Sequence, residues 1–511
     1  MVKKLLKFLT RRVVITGALI LVQAAWLLLL LFQLLEDYAW LGMAFTALSI
    51  VMALYVINKD DNPAYKIAWL LFITLLPLMG GPMYLLFGNK RPARRLRAAL
   101  EREYKRTRPL LDQHPGPMEA LEASSPRRAG TARYIAGQGR GPLWQDTQVD
   151  YYALGDQMFP AMLADLERAR HFIFLEYFII GEGEMWGKIL EILKVKAREG
   201  VDVRLLYDDV GSVSLLPVEF PRQMEALGIH CIAFNRFVPW MSLVMNNRDH
   251  RKILVVDGYV GYTGGINLAD EYINRVVKYG HWKDTALRLE GEAVWNLTVM
   301  FLEMWNALRF TDGDFAPFRP HVHHPQPFLG QGWVQPFGDT PLDDEPLAEN
   351  IYIEVLNQAQ RYVYIYTPYL LIDSEMQIAL CLAAHRGVDV KLFTPGIPDK
   401  KLVYQLTRSY YPPLLRAGVE IYEYTPGFLH GKSFVSDDQM AVVGTVNLDY
   451  RSLYLHFECG AVLYDCPCIR SIRQDALDLL SRCRRVTLDD CRHGLAGGLL
   501  NAVLRLFSPL L

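Results

Sequence analysis

The sequence predicts an α/β fold in which one strand-and-helix unit is used twice. Its two copies share a single pseudo-two-fold site and follow an N-terminal helical membrane domain. Three observations carry this. The pattern H-x-K-x-x-x-x-D occurs at 250–257 and again at 430–437. The stretches around it repeat in order, 170–177 with 361–368, 200–206 with 387–393 and 226–229 with 416–419. The first 90 residues hold three long apolar runs bordered by basic clusters.

The N-terminal runs come first in the chain. Residues 13–35 are apolar except for Thr16, Gln23 and Gln33, long enough to span a hydrocarbon core of about 30 Å. The run exceeds a signal-peptide core and ends in Glu36-Asp37 rather than a small-residue cleavage site, so it reads as a retained anchor. Residues 40–57 make a second span of about the minimum length. The third run, 67–87, contains Pro77 and Gly80-Gly81-Pro82, which remove a backbone donor and favour a turn. A third full crossing would put the basic stretch 90–108 outside, against the positive-inside rule. That favours a re-entrant or interfacial hairpin over a third span and places everything after it on the cytoplasmic face.

Composition narrows the rest. Among 511 residues the formal net charge is −1, which argues against a nucleic-acid binder. Seven cysteines, an odd number in a long chain, argue against a disulfide framework, and Cys466-Pro467-Cys468 has the wrong spacing for a zinc knuckle. The expected organisation is 1–90 membrane anchor, 91–139 basic juxtamembrane linker, 140–318 first unit, 319–335 linker, 336–493 second unit and 494–511 interfacial tail. The linker carries His321, His323 and His324 beside several prolines and reads as solvated, with no carboxylate or thiolate near enough for a metal site.

Within each unit, short β-branched and aromatic runs alternate with helical patterns, which implies mixed sheets covered by helices. His250 and Lys252, two apart on a strand, share a face, and Asp257-Gly258 is a hairpin turn signal. The returning strand delivers Gly265 and Asn267, matched by Thr445 and Asn447 in the second copy. Small residues there let backbone amides approach an anion. One imidazole can attack phosphorus and form a phospho-histidine. The other can protonate the leaving alcohol and deprotonate the incoming one. Two lysines and two asparagines can stabilise the phosphoryl oxygens, and Asp257 and Asp437 are expected to orient the imidazoles. The lysines supply the positive charge, so neither a metal nor another cofactor is expected. Glu176, Tyr177 and Tyr369 either line the site or pack. Asp208-Asp209 reads as a strand-end turn, and Glu458 and His281 as supporting groups around the site.

At these residues the chain resembles the phospholipase D superfamily over roughly residues 140–490. With Asn62-Pro63, Ala68-Trp69-Leu70-Leu71, Leu85-Leu86-Phe87-Gly88 and the terminal Arg505-Leu506-Phe507-Ser508-Pro509-Leu510-Leu511, it is similar to the bacterial cardiolipin synthases. The resemblance implies two tandem phospholipase D-like units, with His250, Lys252, Asp257, His430, Lys432 and Asp437 catalytic. It implies that two phosphatidylglycerol molecules give cardiolipin and glycerol through a phosphatidyl-enzyme in the bacterial cell membrane. By family habit His250 attacks and His430 is the acid and base. A membrane-bound phospholipase D, or another phosphatidyltransferase such as a phosphatidylserine synthase, would share all six residues.

Overall fold

The computed structural model describes residues 39–88, 94–236, 246–492 and 494–510. The first apolar run, 13–35, and the basic residues before it lie outside these. The second run forms helix α1, Ala39–Asn58, followed by α2, Pro63–Leu75, and α3, Pro77–Phe87. Among the described residues no helix is long and apolar enough to cross a membrane. Helix α1 reaches about 30 Å at 1.5 Å per residue, the bare thickness of a bilayer core, and Gly42, Thr46 and Ser49 interrupt its apolar surface.

The third run breaks once, at Leu76, where the backbone leaves the helical region before Pro77 opens α3. Gly80-Gly81-Pro82, expected to turn, lies inside α3 instead. Packing explains this: a Cβ on Gly80 would stand 2.4 Å from the Ile73 Cα, so glycine lets α3 lie directly against α2. Met52, Val56, Tyr65, Trp69, Ile73 and Tyr84 fill the space between the three helices.

The α/β part contains two large sheets. The first uses β1 Thr147–Tyr152, β2 Phe172–Tyr177, β3 Asp202–Asp208, β4 His230–Phe234, β5 Lys252–Val256 and β6 Val260–Gly264. After the short β7, His281–Lys283, β8 Ala286–Gly291 completes it. The second sheet draws on β9 Trp333–Asp339, β10 Tyr362–Tyr366, β11 Asp389–Pro395 and β12 Glu420–Tyr424. The short β13, Gly427–Leu429, precedes its β14 Ser433–Ser436, β15 Met440–Gly444, β16 Glu458–Tyr464 and β17 Cys483–Arg485.

The first sheet has the order β1-β8-β6-β5-β2-β3-β4, and the second β9-β16-β15-β14-β10-β11-β12-β17 when read in the same direction. Strands β2, β3 and β4 are parallel, as are β10, β11 and β12. The motif strands β5 and β14 run antiparallel to β2 and β10 and turn back into β6 and β15. Both turns need left-handed backbone, at Asp257 and Gly258 in the first and at Asp437 and Asp438 in the second. Asp tolerates that region better than most side chains.

The inner faces of the two sheets share one core with the helix Val294–Leu308. Phe174 of β2 stacks on Phe301 of that helix at 4.7 Å between ring centroids. Burying a Phe of this kind contributes about 1.5–3 kcal/mol. The outer faces are covered by separate helix layers. Among the described residues a small two-stranded sheet joins β7 to β13 and thereby ties the first half of the chain to the second.

Candidate active site

Each motif histidine is held by the opposite half of the chain. Asp249 bridges to Phe457, and the His250 N–H donates to the Phe457 carbonyl at 2.9 Å. His250 Nδ1 lies 2.9 Å from both carboxylate oxygens of Glu458, the first residue of β16. In the mirror arrangement the His430 N–H donates to the Lys283 carbonyl at 2.6 Å. His430 Nδ1 lies 2.6 Å from Asp284 Oδ2. A carboxylate on Nδ1 fixes that nitrogen as the N–H donor and leaves Nε2 as the free base. Both histidines line one cleft of about 560 Å³.

A buried lysine stands beside each imidazole. Lys252 Nζ donates to the His250 carbonyl and Lys432 Nζ to the His430 carbonyl. Lys432 Nζ is also 2.9 Å from His430 Nδ1. Burial, relieved in part by Glu458, brings Lys252 down to about 8; burial, relieved in part by Asp284, brings Lys432 down to about 7. Burial also lowers His250 to about 3 and His430 to about 4, so both rings are neutral at pH 7 in the empty cleft. The carboxylates behave oppositely: despite burial, His250 holds Glu458 far below the usual range, and His430 holds Asp284 below it.

These shifts give a pH dependence with a definite sign. A lysine of depressed pKa loses its proton, and its hold on a phosphate anion, as pH rises through 7 to 8. The free-enzyme kcat/KM is therefore expected to fall above about pH 7–8. Lys432→Arg, whose guanidinium stays charged, should move that limb upward while lowering the maximum. A pH–rate profile checks both; an unmoved limb would clear Lys432 of the role.

The motif aspartates do not reach the imidazoles. Asp257 accepts the backbone N–H groups of Arg170, His171 and Phe172 at 2.8–2.9 Å. Asp437 accepts those of Gln360, Arg361 and Tyr362 at 2.7–3.0 Å. Each sits in the turn at the far end of its motif strand, five residues beyond the motif lysine, and clamps the start of β2 or β10. Asp257→Asn is expected to cost about 1.5–3 kcal/mol of stability, the value of a hydrogen bond to a charged group. The folded variant should keep its turnover within a few-fold. Denaturation midpoints and kcat measured together test this.

The remaining expected residues fall into place around the histidines. Asn267 Oδ1 accepts the Ile179 N–H at 3.0 Å and its amide donates to the Tyr272 hydroxyl at 2.8 Å. Asn447 lines the cleft with a buried Oδ1 that has no hydrogen-bond partner. Gly265 packs on Asp284, whose Oδ1 a Cβ would meet at 2.0 Å. Thr445 donates its hydroxyl to Glu458. Tyr369 lines the cleft and Tyr177 is core. Glu176 is buried against Arg251. Asp208 caps the short helix Asp209–Ser212, and His281 lies 3.0 Å from the Tyr424 hydroxyl. The cysteines are free, and His323 stacks on His171.

Sequence reasoning missed Asp284 altogether. Its only trace was position: Asp284 stands just before β8 and Glu458 opens β16, the strands that pair with the two motif hairpins. His456 was also missed. Ligand atoms of His250, His456 and Glu458 lie within 4.8 Å of one another, a set that could hold a metal ion, although His250 Nδ1 and both Glu458 oxygens already engage each other.

Known proteins resemble the chain over most of its length. Residues 352–479 match the family described as "Cardiolipin synthase, PLD-like domain", and residues 47–89 match "Phospholipase_D-nuclease N-terminal". An uncharacterized protein of Streptococcus mutans is 44% identical over 90% of this chain and 99% of its own. The cardiolipin synthase of Geobacillus kaustophilus is 35% identical over 90% of this chain and 92% of its own. Cardiolipin synthase 1 of Bacillus anthracis is 32% identical, with 93% and 94% covered. Among solved structures, the phosphatidylserine synthase of Haemophilus influenzae superposes with a TM-score of 0.57 at 13% identity, over 75% of this chain and 98% of that one, a likeness of fold. On the strength of these relatives, the chain belongs to the cardiolipin synthase family of phospholipase D-like proteins.

Proposed function

We propose that the protein is a cardiolipin synthase, transferring a phosphatidyl group reversibly between two phosphatidylglycerol molecules and releasing glycerol. The observation that carries this is the pair of imidazoles in one cleft, each with its Nδ1 on a carboxylate of the opposite half and a lysine beside it. In this reading the strand orders of the two sheets reflect two tandem phospholipase D-like units around one pseudo-two-fold site. His250 Nε2 attacks phosphorus. The bond from phosphorus to the glycerol oxygen breaks, and that oxygen takes a proton from His430. The hydroxyl of a second phosphatidylglycerol then gives its proton to His430 and attacks phosphorus. The phosphorus–nitrogen bond breaks and its electron pair returns to His250. Lys252, Lys432, Asn267 and Asn447 stabilise the non-bridging oxygens. The phosphodiester anion restores to His430 the proton affinity that burial removes.

Both substrates are lipids, and the exposed apolar surface supports a membrane-held enzyme. Trp40, Met43, Ile50, Val51 and Leu54 of α1 are all exposed, as are Leu499 and Val503 of the C-terminal helix Leu495–Phe507. Patches of this kind mark interaction surfaces. In this reading the run 13–35 anchors the chain, α1 to α3 and the C-terminal helix sit at the bilayer, and the cleft lies on the cytoplasmic side. The test is purified protein in phosphatidylglycerol vesicles with products read by mass spectrometry. Cardiolipin and glycerol in equal amounts are expected; phosphatidic acid alone would make the protein a phospholipase D.

A further inference from the structure

The two faces of the cleft are unlike, although the chain positions that build them correspond. Two residues before His250 stands Arg248; two residues before His430 stands Phe428. Two residues before Glu458 stands His456; two residues before Asp284 stands Trp282. All four line the cleft. The His250 side thus carries Arg248 and His456 beside one aromatic ring, Phe178 at 4.9 Å, while the His430 side carries three. Around the His430 ring the Trp282, Phe428 and Tyr272 centroids lie at 5.4, 5.7 and 5.5 Å.

Trp282 is held rigidly. It is the direct register partner of Phe428 in the small β7–β13 sheet, and Asn274 bonds its backbone N–H and carbonyl at 2.7 and 3.0 Å. Trp282 is only 5% exposed, yet its indole Nε1 has no hydrogen-bond partner. A buried donor left unpaired costs about 1–3 kcal/mol. If packing were the whole role, phenylalanine would fill the same place without that cost. Farther along the same cleft stand Lys278, paired with Glu271 at 2.8 Å, and Lys400, over the Tyr369 ring; Lys400 is the cation suited to a phosphate.

We infer that Trp282, Phe428 and Tyr272 form the acceptor subsite, in which the indole N–H binds the glycerol headgroup of a second phospholipid and the three rings keep water from His430. This rests on the phosphatidyl-transfer reading above and adds the residues that make the acceptor a lipid alcohol. The hydroxyl that attacks must lose its proton to His430, so whatever stands beside that ring is the acceptor. Aromatic walls disfavour a lone water there but pack against the carbon backbone of a glycerol. The Trp282 N–H is then satisfied by the headgroup hydroxyl that does not react, and Lys400 by the acceptor's own phosphate.

The experiment compares Trp282→Phe and Trp282→Ala with wild type in phosphatidylglycerol vesicles, reading the cardiolipin to phosphatidic acid ratio beside each variant's denaturation midpoint. Trp282→Phe, which keeps the ring and loses the donor, should lower the ratio about ten-fold, the equivalent of one hydrogen bond of ~1.4 kcal/mol. Trp282→Ala should lower it further by admitting water. A Trp282→Phe ratio within two-fold of wild type, or both products falling in parallel, overturns the assignment. Wild-type protein yielding phosphatidic acid alone would instead defeat the underlying reading of the reaction, so the two failures are distinct.

Discussion

His430→Ala is expected to lower kcat for cardiolipin formation by at least about 10⁴-fold. In the proposed mechanism the ring acts twice, giving a proton to the departing glycerol and taking one from the acceptor. Among the described residues Lys432 stands beside it, but is turned onto the His430 carbonyl and Nδ1 rather than placed to replace it. His250→Ala should be as damaging, since it removes the atom that bonds to phosphorus. The double variant should be little worse than either, as for residues that act as a unit. The two single variants differ in one observable. His430→Ala retains the nucleophile and should accumulate phosphatidyl-enzyme from a substrate with a good leaving group, whereas His250→Ala should not. Mass spectrometry of the intact protein reads this, and accumulation in the opposite variant would reverse the roles.

Glu458→Gln and Asp284→Asn are each expected to reduce kcat by about 10²–10⁴-fold with the fold intact. The amides are nearly isosteric with the carboxylates, so packing survives. What changes is the proton on the imidazole: an amide N–H facing Nδ1 favours the tautomer whose Nε2 carries hydrogen, and that nitrogen can neither attack nor accept. The charged imidazolium also loses its counter-ion. The comparison with Asp257→Asn is the informative one. The motif aspartate should affect stability and the non-motif carboxylates should affect turnover, the reverse of what the motif alone suggests.

That reversal shows what the sequence could and could not express. The duplicated motif, its matched Asn267 and Asn447, and the repeat register were all legible, because they depend on local spacing along a strand. The turn at Asp257-Gly258 was legible for the same reason. The partner carboxylates were not, because each is contributed by the other half: Glu458 lies 208 positions from His250, and Asp284 lies 146 from His430. Asp257 and Asp437 looked like the orienting groups because they are near in sequence, but a strand running away from the cleft carries them to its far end. The Gly80-Gly81 pair was read as a turn when its function is close helix contact, a distinction that only the facing Ile73 backbone reveals.

The exchange of carboxylates between halves also governs when activity can arise during synthesis. His250 leaves the ribosome 208 residues ahead of Glu458, a delay of roughly 10–40 s at about 5–20 residues per second. Throughout that interval the nascent chain has a motif histidine without its orienting carboxylate, and for the first 180 residues of it there is no His430 either. In the membrane-held reading proposed above, a chain that meets the bilayer during synthesis is therefore chemically silent toward the lipids around it. Competence arrives only once the last strands have been translated and docked, so no half-built transferase can act on a phospholipid.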